Sequence, residues 1–108
     1  MLQKHKTLVS QLLRDSARGQ ECTIRLPGIC NRDPATTVLC HLPGGGTGMK
    51  HSDIHAAFAC SSCHDEVDRR TQIDDAEYAR ASFFDGMVRT QQYWLDECIL
   101  QKVFGGMT

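Results

Sequence analysis

The sequence predicts a small α+β fold, with helices towards both ends and a strand–loop–strand–helix unit in the middle. Three observations carry that expectation. β-Branched residues gather in Thr36-Thr37-Val38-Leu39-Cys40-His41-Leu42, which reads as the clearest strand. Apolar residues recur at helical spacing near the start, at Leu8, Leu12 and Leu13, and again from Tyr78 to Cys98. Between them lie two cysteine pairs, Cys22 with Cys30 and Cys60 with Cys63. In a reducing compartment such clustering serves metal or redox chemistry, since disulfides are rare there.

Taken in order, residues 4–17 read as a short helix, broken by Arg18-Gly19-Gln20. Residues 23–26 are strand-like. Pro27-Gly28 turns the chain, and Asn31-Arg32-Asp33-Pro34 turns it again. A glycine-rich loop follows the main strand, Pro43-Gly44-Gly45-Gly46-Thr47-Gly48-Met49-Lys50. Met49 separates Gly48 from Lys50, so the loop lacks the Gly-Lys-Ser/Thr run of a phosphate-binding loop. Residues 54–59 form a second short strand ending at the cysteines. Ser61 or Ser62 then caps a helix running through His64, Asp65, Val67 and Arg70. From Asp74 to about residue 104 the pattern is helical. Tyr78, Ala81, Phe84, Met87, Val88, Gln91, Trp94, Leu95 and Cys98 trace an apolar stripe that serves as core or as a dimer face. Gly86 marks a bend in it, and Gly105-Gly106 ends it.

At 108 residues and 12.1 kDa the chain is expected to be a single domain, 1–108, with a core motif at about 20–72 and a C-terminal helical segment at about 74–104. A composition of 41% hydrophobic and 23% charged residues excludes a disordered chain. No apolar run approaches the ~20 residues that span a membrane, and the first residues lack the unbroken apolar stretch of a signal peptide. The expectation is a soluble, cytoplasmic protein without a membrane partner.

Cys60-Ser61-Ser62-Cys63 places two sulfurs on one tight turn, and with Cys22 and Cys30 it fits a tetrahedral structural zinc. A thioredoxin-like motif would need a strand–helix–strand setting, which the flanking residues do not supply. Cys60 to His64 also match the attachment motif of c-type haem, which is filled after export; with a cytoplasmic protein expected, haem is not. Cys98 lies among Trp94, Leu95 and Ile99 and is expected in the core. Cys40 adjoins His41 on a strand, so the two face opposite ways and Cys40 turns inward.

A strand with His41, a long loop, a short strand and a helix opening at Cys63-His64 follow the element order of a ββα-metal site. Through Cys22, Cys30, Leu39-Cys40-His41-Leu42-Pro43 and Cys60-Ser61-Ser62-Cys63-His64-Asp65, the sequence resembles the HNH endonuclease superfamily over about residues 20–72. A closer likeness, over most of the chain, is to the YbcO-like nuclease family of lambdoid prophages. It runs through Ala17-Arg18-Gly19-Gln20-Glu21-Cys22, Pro27-Gly28-Ile29-Cys30-Asn31, Ala59-Cys60-Ser61-Ser62-Cys63-His64-Asp65-Glu66 and Asp68-Arg69-Arg70-Thr71.

The resemblance implies a zinc-stabilised ββα-metal fold and a metal-dependent endonuclease acting on DNA. His41 matches the strand histidine that serves as general base. His64 matches the histidine that holds a catalytic divalent ion, Mg²⁺ or another. The superfamily usually carries a middle residue, often asparagine, before the second cysteine pair, and none stands there. Asp53 is the candidate, binding the metal or orienting His41; His55 is its alternative and His51 a weaker one. Against this stand blander readings: His41 as a zinc ligand in place of Cys22 or Cys30, His64 as a helix cap, and Asp65, Glu66, Asp68, Arg69 and Arg70 as a solvated helix face. The competing class is a non-catalytic zinc module that binds nucleic acid or protein.

The formal charge of -1 is unusual for a nucleic-acid binder, but it is unevenly spread. Lys4, Lys6, Arg14, Arg18, Arg25 and Arg32 outweigh Asp15 and Glu21 in residues 1–32, whereas residues 65–108 hold five basic and nine acidic side chains. Only the amino-terminal part looks suited to DNA, duplex or branched. The C-terminal helix is left for a second copy of the chain or a phage partner protein.

Overall fold

The computed structural model describes residues 7–42 and 52–105. The glycine-rich loop, His51, Gly106 and the first residues of the expected opening helix lie outside them. Among the described residues, four α-helices and a two-stranded antiparallel sheet make up an α+β fold.

Helix α1 (Gln11–Ser16) begins later than its apolar spacing predicts. Ser10 is extended and its hydroxyl accepts the Leu13 N–H, so it caps the helix. The residues before it are tied across the molecule instead. Leu8 N–H donates to Ser52 Oγ at 2.8 Å, and Leu8 C=O accepts the Asp53 N–H at 2.8 Å. Residues 23–26 are not a strand either. Thr23 N–H does bond Phe58 C=O at 2.9 Å, but Arg25 at φ 58° turns the chain out of any ladder. The turn at Pro27-Gly28 is present, with Gly28 at φ 75°, where glycine alone is unstrained.

A short 3-10 helix (Pro34–Thr36), capped by Asp33 accepting from Ala35 N–H, takes Thr36, the residue expected to start the strand. Strand β1 (Val38–His41) pairs with β2 (Ala56–Ala59), with Val38 opposite Ala59 and His41 opposite Ala56. Side chains alternate across this hairpin. Leu39 and Phe58 join Leu13, Ala17 and Trp94 on one side. Cys40, Ala57 and Ala59 join the paired cysteines, Ile24, Leu26 and Phe83 on the other.

Helix α2 (Ser61–Val67) is capped by Cys60, whose sulfur accepts the Cys63 N–H at 3.4 Å. The serines expected to cap it instead take the Asn31 side-chain amide, at 2.9 Å for Ser61 and 3.3 Å for Ser62. The helix stops short of Arg70, and Arg69 turns left-handed at φ 63°. Glu66 is no part of a solvated face. It is fully buried, and its carboxylate accepts from Thr71 Oγ1, Ile73 N–H and Asp74 N–H, fastening the chain between helices.

Asp75 caps helix α3 (Ala76–Asp96) by accepting the Tyr78 N–H. The expected apolar stripe is displaced around the axis. Ala79, Phe83, Gly86, Thr90 and Trp94 are buried, while Tyr78, Phe84, Val88 and Leu95 are exposed. The reason is close packing against the hairpin and residues 23–24. A Cβ on Gly86 would sit 2.9 Å from Ile24 Cγ1 and 3.0 Å from its Cα, so this glycine permits contact and does not bend the helix. Thr90 Oγ1 accepts the Phe58 N–H at 3.0 Å and pairs with Thr23 Oγ1 at 2.9 Å. Small and polar residues thus share the inner face with Phe83 and Trp94. Cys98 is exposed at φ 58°, outside the core, and it separates α3 from helix α4 (Ile99–Phe104). No helix among the described residues is long and apolar enough to cross a membrane.

Candidate metal centre and histidine site

The four paired cysteines converge. The sulfurs of Cys22, Cys30, Cys60 and Cys63 all lie within 4.8 Å of one another. Cys30 and Cys60 Sγ are 3.8 Å apart. That matches the edge of a tetrahedron about 3.8 Å long drawn around an ion with Zn–S bonds of ~2.3 Å. It is far beyond a disulfide's ~2.05 Å. The donor set therefore fits a structural zinc, and the cluster could hold one.

Backbone N–H groups face these sulfurs. The Cys63 thiol donates to Cys22, and with the N–H groups of Arg25, Cys60 and Ile24 it outweighs burial and holds Cys22 down to about 4. The same contact and burial push Cys63 up. Burial raises Cys30 despite the Arg32 N–H beside it. Arg25 and Arg32, at φ 58° and 56°, are the turn residues whose N–H groups meet the sulfurs. Such N–H groups offset thiolate charge. Nothing in the residue types marked these two arginines for left-handed backbone.

A second arrangement lies at the open end of the hairpin. His41 Nε2 is 2.6 Å from Asp53 Oδ1, and Asp53 Oδ2 accepts from Arg14 Nε at 2.9 Å and from Ser10 N–H at 2.7 Å. The Asp53 side chain is 1% exposed, and His41 35%. Burial alone would raise the Asp53 carboxyl, but the donors from Ser10, His41 and Arg14 overcome it and hold the group below the usual range. With both oxygens engaged, Asp53 fixes the His41 ring and leaves Nδ1 as its other nitrogen. Arg14 was not singled out from the sequence: 39 positions separate it from Asp53, and nothing local links them.

His64 falls elsewhere. Its ring, Cys40 Sγ and an Asp68 oxygen lie within 4.8 Å of one another. His64 Nε2 is 3.1 Å from Asp68 Oδ2, four residues along α2. Cys40 is fully buried, as expected for the neighbour of an outward histidine. Burial and the Asp68 charge push its thiol up to about 12. The carboxylate beside His64 is thus Asp68 and not Asp53. Asp68 was legible as a partner, since helical spacing sets it on the same face. His55 is exposed in the turn before β2 and joins neither cluster.

An open groove of about 420 Å³ runs past His41, lined by Gln11, Arg14, Arg18 and Val38 among others. Two arginines of the basic amino-terminal part therefore stand beside the histidine.

Fold and clusters together define a small α+β protein whose two halves are pinned by a four-cysteine cluster fit for a metal. Comparison with known proteins makes the assignment specific. The family model described as "Putative nuclease YbcO" matches residues 11–98, and the chain belongs to this YbcO family. It is 52% identical over 92 residues to the "Putative nuclease YbcO" of Escherichia coli (strain K12), covering 82% of this chain and 96% of that protein. The identity and coverage are the same for the "Putative nuclease ybcO" of Enterobacteria phage 82. A solved structure of a "putative bacteriophage protein" from Escherichia coli str. K-12 substr. MG1655 superposes with a TM-score of 0.72 at 49% identity. That match covers 80% of this chain and 99% of the other.

Proposed function

We propose that this chain is a metal-dependent endonuclease of the HNH type that hydrolyses DNA phosphodiester bonds within one domain. The observation that carries the reading is the His41–Asp53–Arg14 arrangement, with its 2.6 Å histidine–carboxylate contact opening on an arginine-flanked groove. A carboxylate that grips one ring nitrogen fixes the tautomer and raises the basicity of the other. His41 Nδ1 then takes a proton from water as its oxygen attacks phosphorus, and the P–O3′ bond breaks. The 3′ oxygen is protonated from solvent, leaving 5′-phosphate and 3′-hydroxyl ends. Arg14 and Arg18 pair with phosphates of the backbone and hold the strand in the groove. His64 is the residue for a divalent ion, which when bound supplies charge stabilisation to the phosphate and leaving oxygen. Cys22, Cys30, Cys60 and Cys63 hold the structural zinc. The names of the relatives and the histidine-bearing hairpin leading into α2 support this reading.

The test is supercoiled plasmid nicking in Mg²⁺ or Mn²⁺ by wild type and His41→Ala. Wild type is expected to leave ends that ligase reseals, and His41→Ala to leave the plasmid intact. Zinc-loaded wild type that nicks in neither ion would favour the competing class, a zinc module that binds without cutting. Nicking unchanged by His41→Ala would overturn the mechanism.

A further inference from the structure

We propose that Cys40, His64 and Asp68 form a second metal site, selective for a thiophilic divalent cation of the zinc class over Mg²⁺. One sulfur, one ring nitrogen and one carboxylate oxygen lie within 4.8 Å of one another, and none belongs to the four-cysteine cluster. Three protein ligands are the count of a site that keeps a position open. An ion pair at helical spacing accounts for His64 and Asp68. It does not account for the fully buried thiol that β1 brings against them. Among the described residues, that thiol has only the His41 carbonyl as hydrogen-bond partner, at 3.8 Å. Cys40 opposes Ala57 in the hairpin and cannot turn away without breaking the register.

The donor types decide the ion. Mg²⁺ demands near-octahedral oxygen ligands. Thiolate and imidazole favour Zn²⁺ and its neighbours. Arg70 Nη2, 3.5 Å from Asp68 Oδ2, lies on the solvent side and competes only for the carboxylate. A catalytic consequence, activity in Zn²⁺, Co²⁺ or Mn²⁺, rests on the endonuclease reading because His64 is shared; the site itself does not.

The experiment is zinc stoichiometry on the full chain, saturated with Zn²⁺, desalted, and measured by native mass spectrometry with elemental analysis. Wild type is expected to carry two zinc ions, and a millimolar excess of Mg²⁺ should displace neither. Cys40→Ser and Asp68→Asn should each carry one, with unchanged far-UV circular dichroism. Asp68 is at the surface, so its variant remains informative if Cys40→Ser misfolds. One zinc in saturated wild type, two in folded Asp68→Asn, or loss of an ion to Mg²⁺ would each overturn the proposal. Two zinc ions without nicking in any metal would uphold the site and remove the endonuclease reading. One zinc with Mg²⁺-dependent nicking would do the reverse.

Discussion

The hairpin presents two unlike faces only one residue apart. Cys40 points inward, in one cluster with the paired cysteines and Phe83, its sulfur near His64 and Asp68. His41 points the other way, against a buried carboxylate held by Arg14 and the Ser10 amide. One face is assembled from turns: Cys22, Cys30 and Cys60 flank tight bends whose N–H groups aim at sulfur. The other is assembled from long-range ties, with residues 8–14 laid across 52–53. The sulfur cluster draws distant turns together, whereas the ties around Asp53 orient one side chain at the edge of the core that holds Leu39, Phe58 and Trp94. Substitutions on the two should therefore fail differently.

The largest expected effect is on the sulfur face. A structural four-thiolate zinc contributes on the order of 10 kcal/mol to folding of a small domain. Cys63→Ala, or a strong chelator, should abolish the cooperative thermal transition followed by circular dichroism. A chelated protein that melts as before would show that packing alone holds the halves together.

On the histidine face the fold should survive and the chemistry should not. His41→Ala should slow nicking about 10²–10⁴-fold, the usual worth of a general base, with its melting temperature close to wild type. Asp53→Asn should cost less, about 10–100-fold, because it removes the group that orients the base. It should also lower stability, since Ser10 N–H and Arg14 lose an anionic partner.

Asp53 gives the same face an acid signature. Its carboxyl is held below the usual range, so its stabilisation is complete above the ordinary value of about 3.9 and is lost as pH falls through the lower native value. Melting temperature of the zinc-loaded protein in buffers of decreasing pH should drop less steeply for Asp53→Asn than for wild type. Equal slopes would mean that Asp53 contributes nothing to acid stability.

The smallest effect sits between the faces. Gly86→Ala would place Cβ 3.0 Å from the Ile24 Cα, a backbone atom that cannot yield cheaply. A loss of about 1–3 kcal/mol is expected in denaturant titration, the range of an overpacked core. A neutral result would show that α3 can ride outward from residues 23–24.

The sequence disclosed the parts of both faces better than their arrangement. Alternation along a strand was enough to send Cys40 inward and His41 outward, because period two leaves no other choice. The cysteine spacing was enough to place four sulfurs on one centre. The phase of α3 was hidden because Ala79, Gly86 and Thr90 alternate with Phe83 and Trp94 on its inner face, where they serve close approach and hydrogen bonding to Thr23 and Phe58. Hydrophobic periodicity sees Tyr78, Phe84 and Val88 instead. Of the two roles open to Asp53, the geometry sets it against His41 at 2.6 Å, and the carboxylate against His64 is Asp68. Asp68 follows His64 by one helical turn, whereas Asp53 reaches His41 through a tertiary tie to α1 that no local pattern encodes.

The claim that His41 acts as general base is tested most directly by chemical rescue. Initial nicking rates of His41→Gly would be measured across pH with and without added imidazole. The account predicts an almost inactive variant whose rate rises with the concentration of neutral imidazole. A His41→Gly protein that nicks as fast as wild type without imidazole would contradict it.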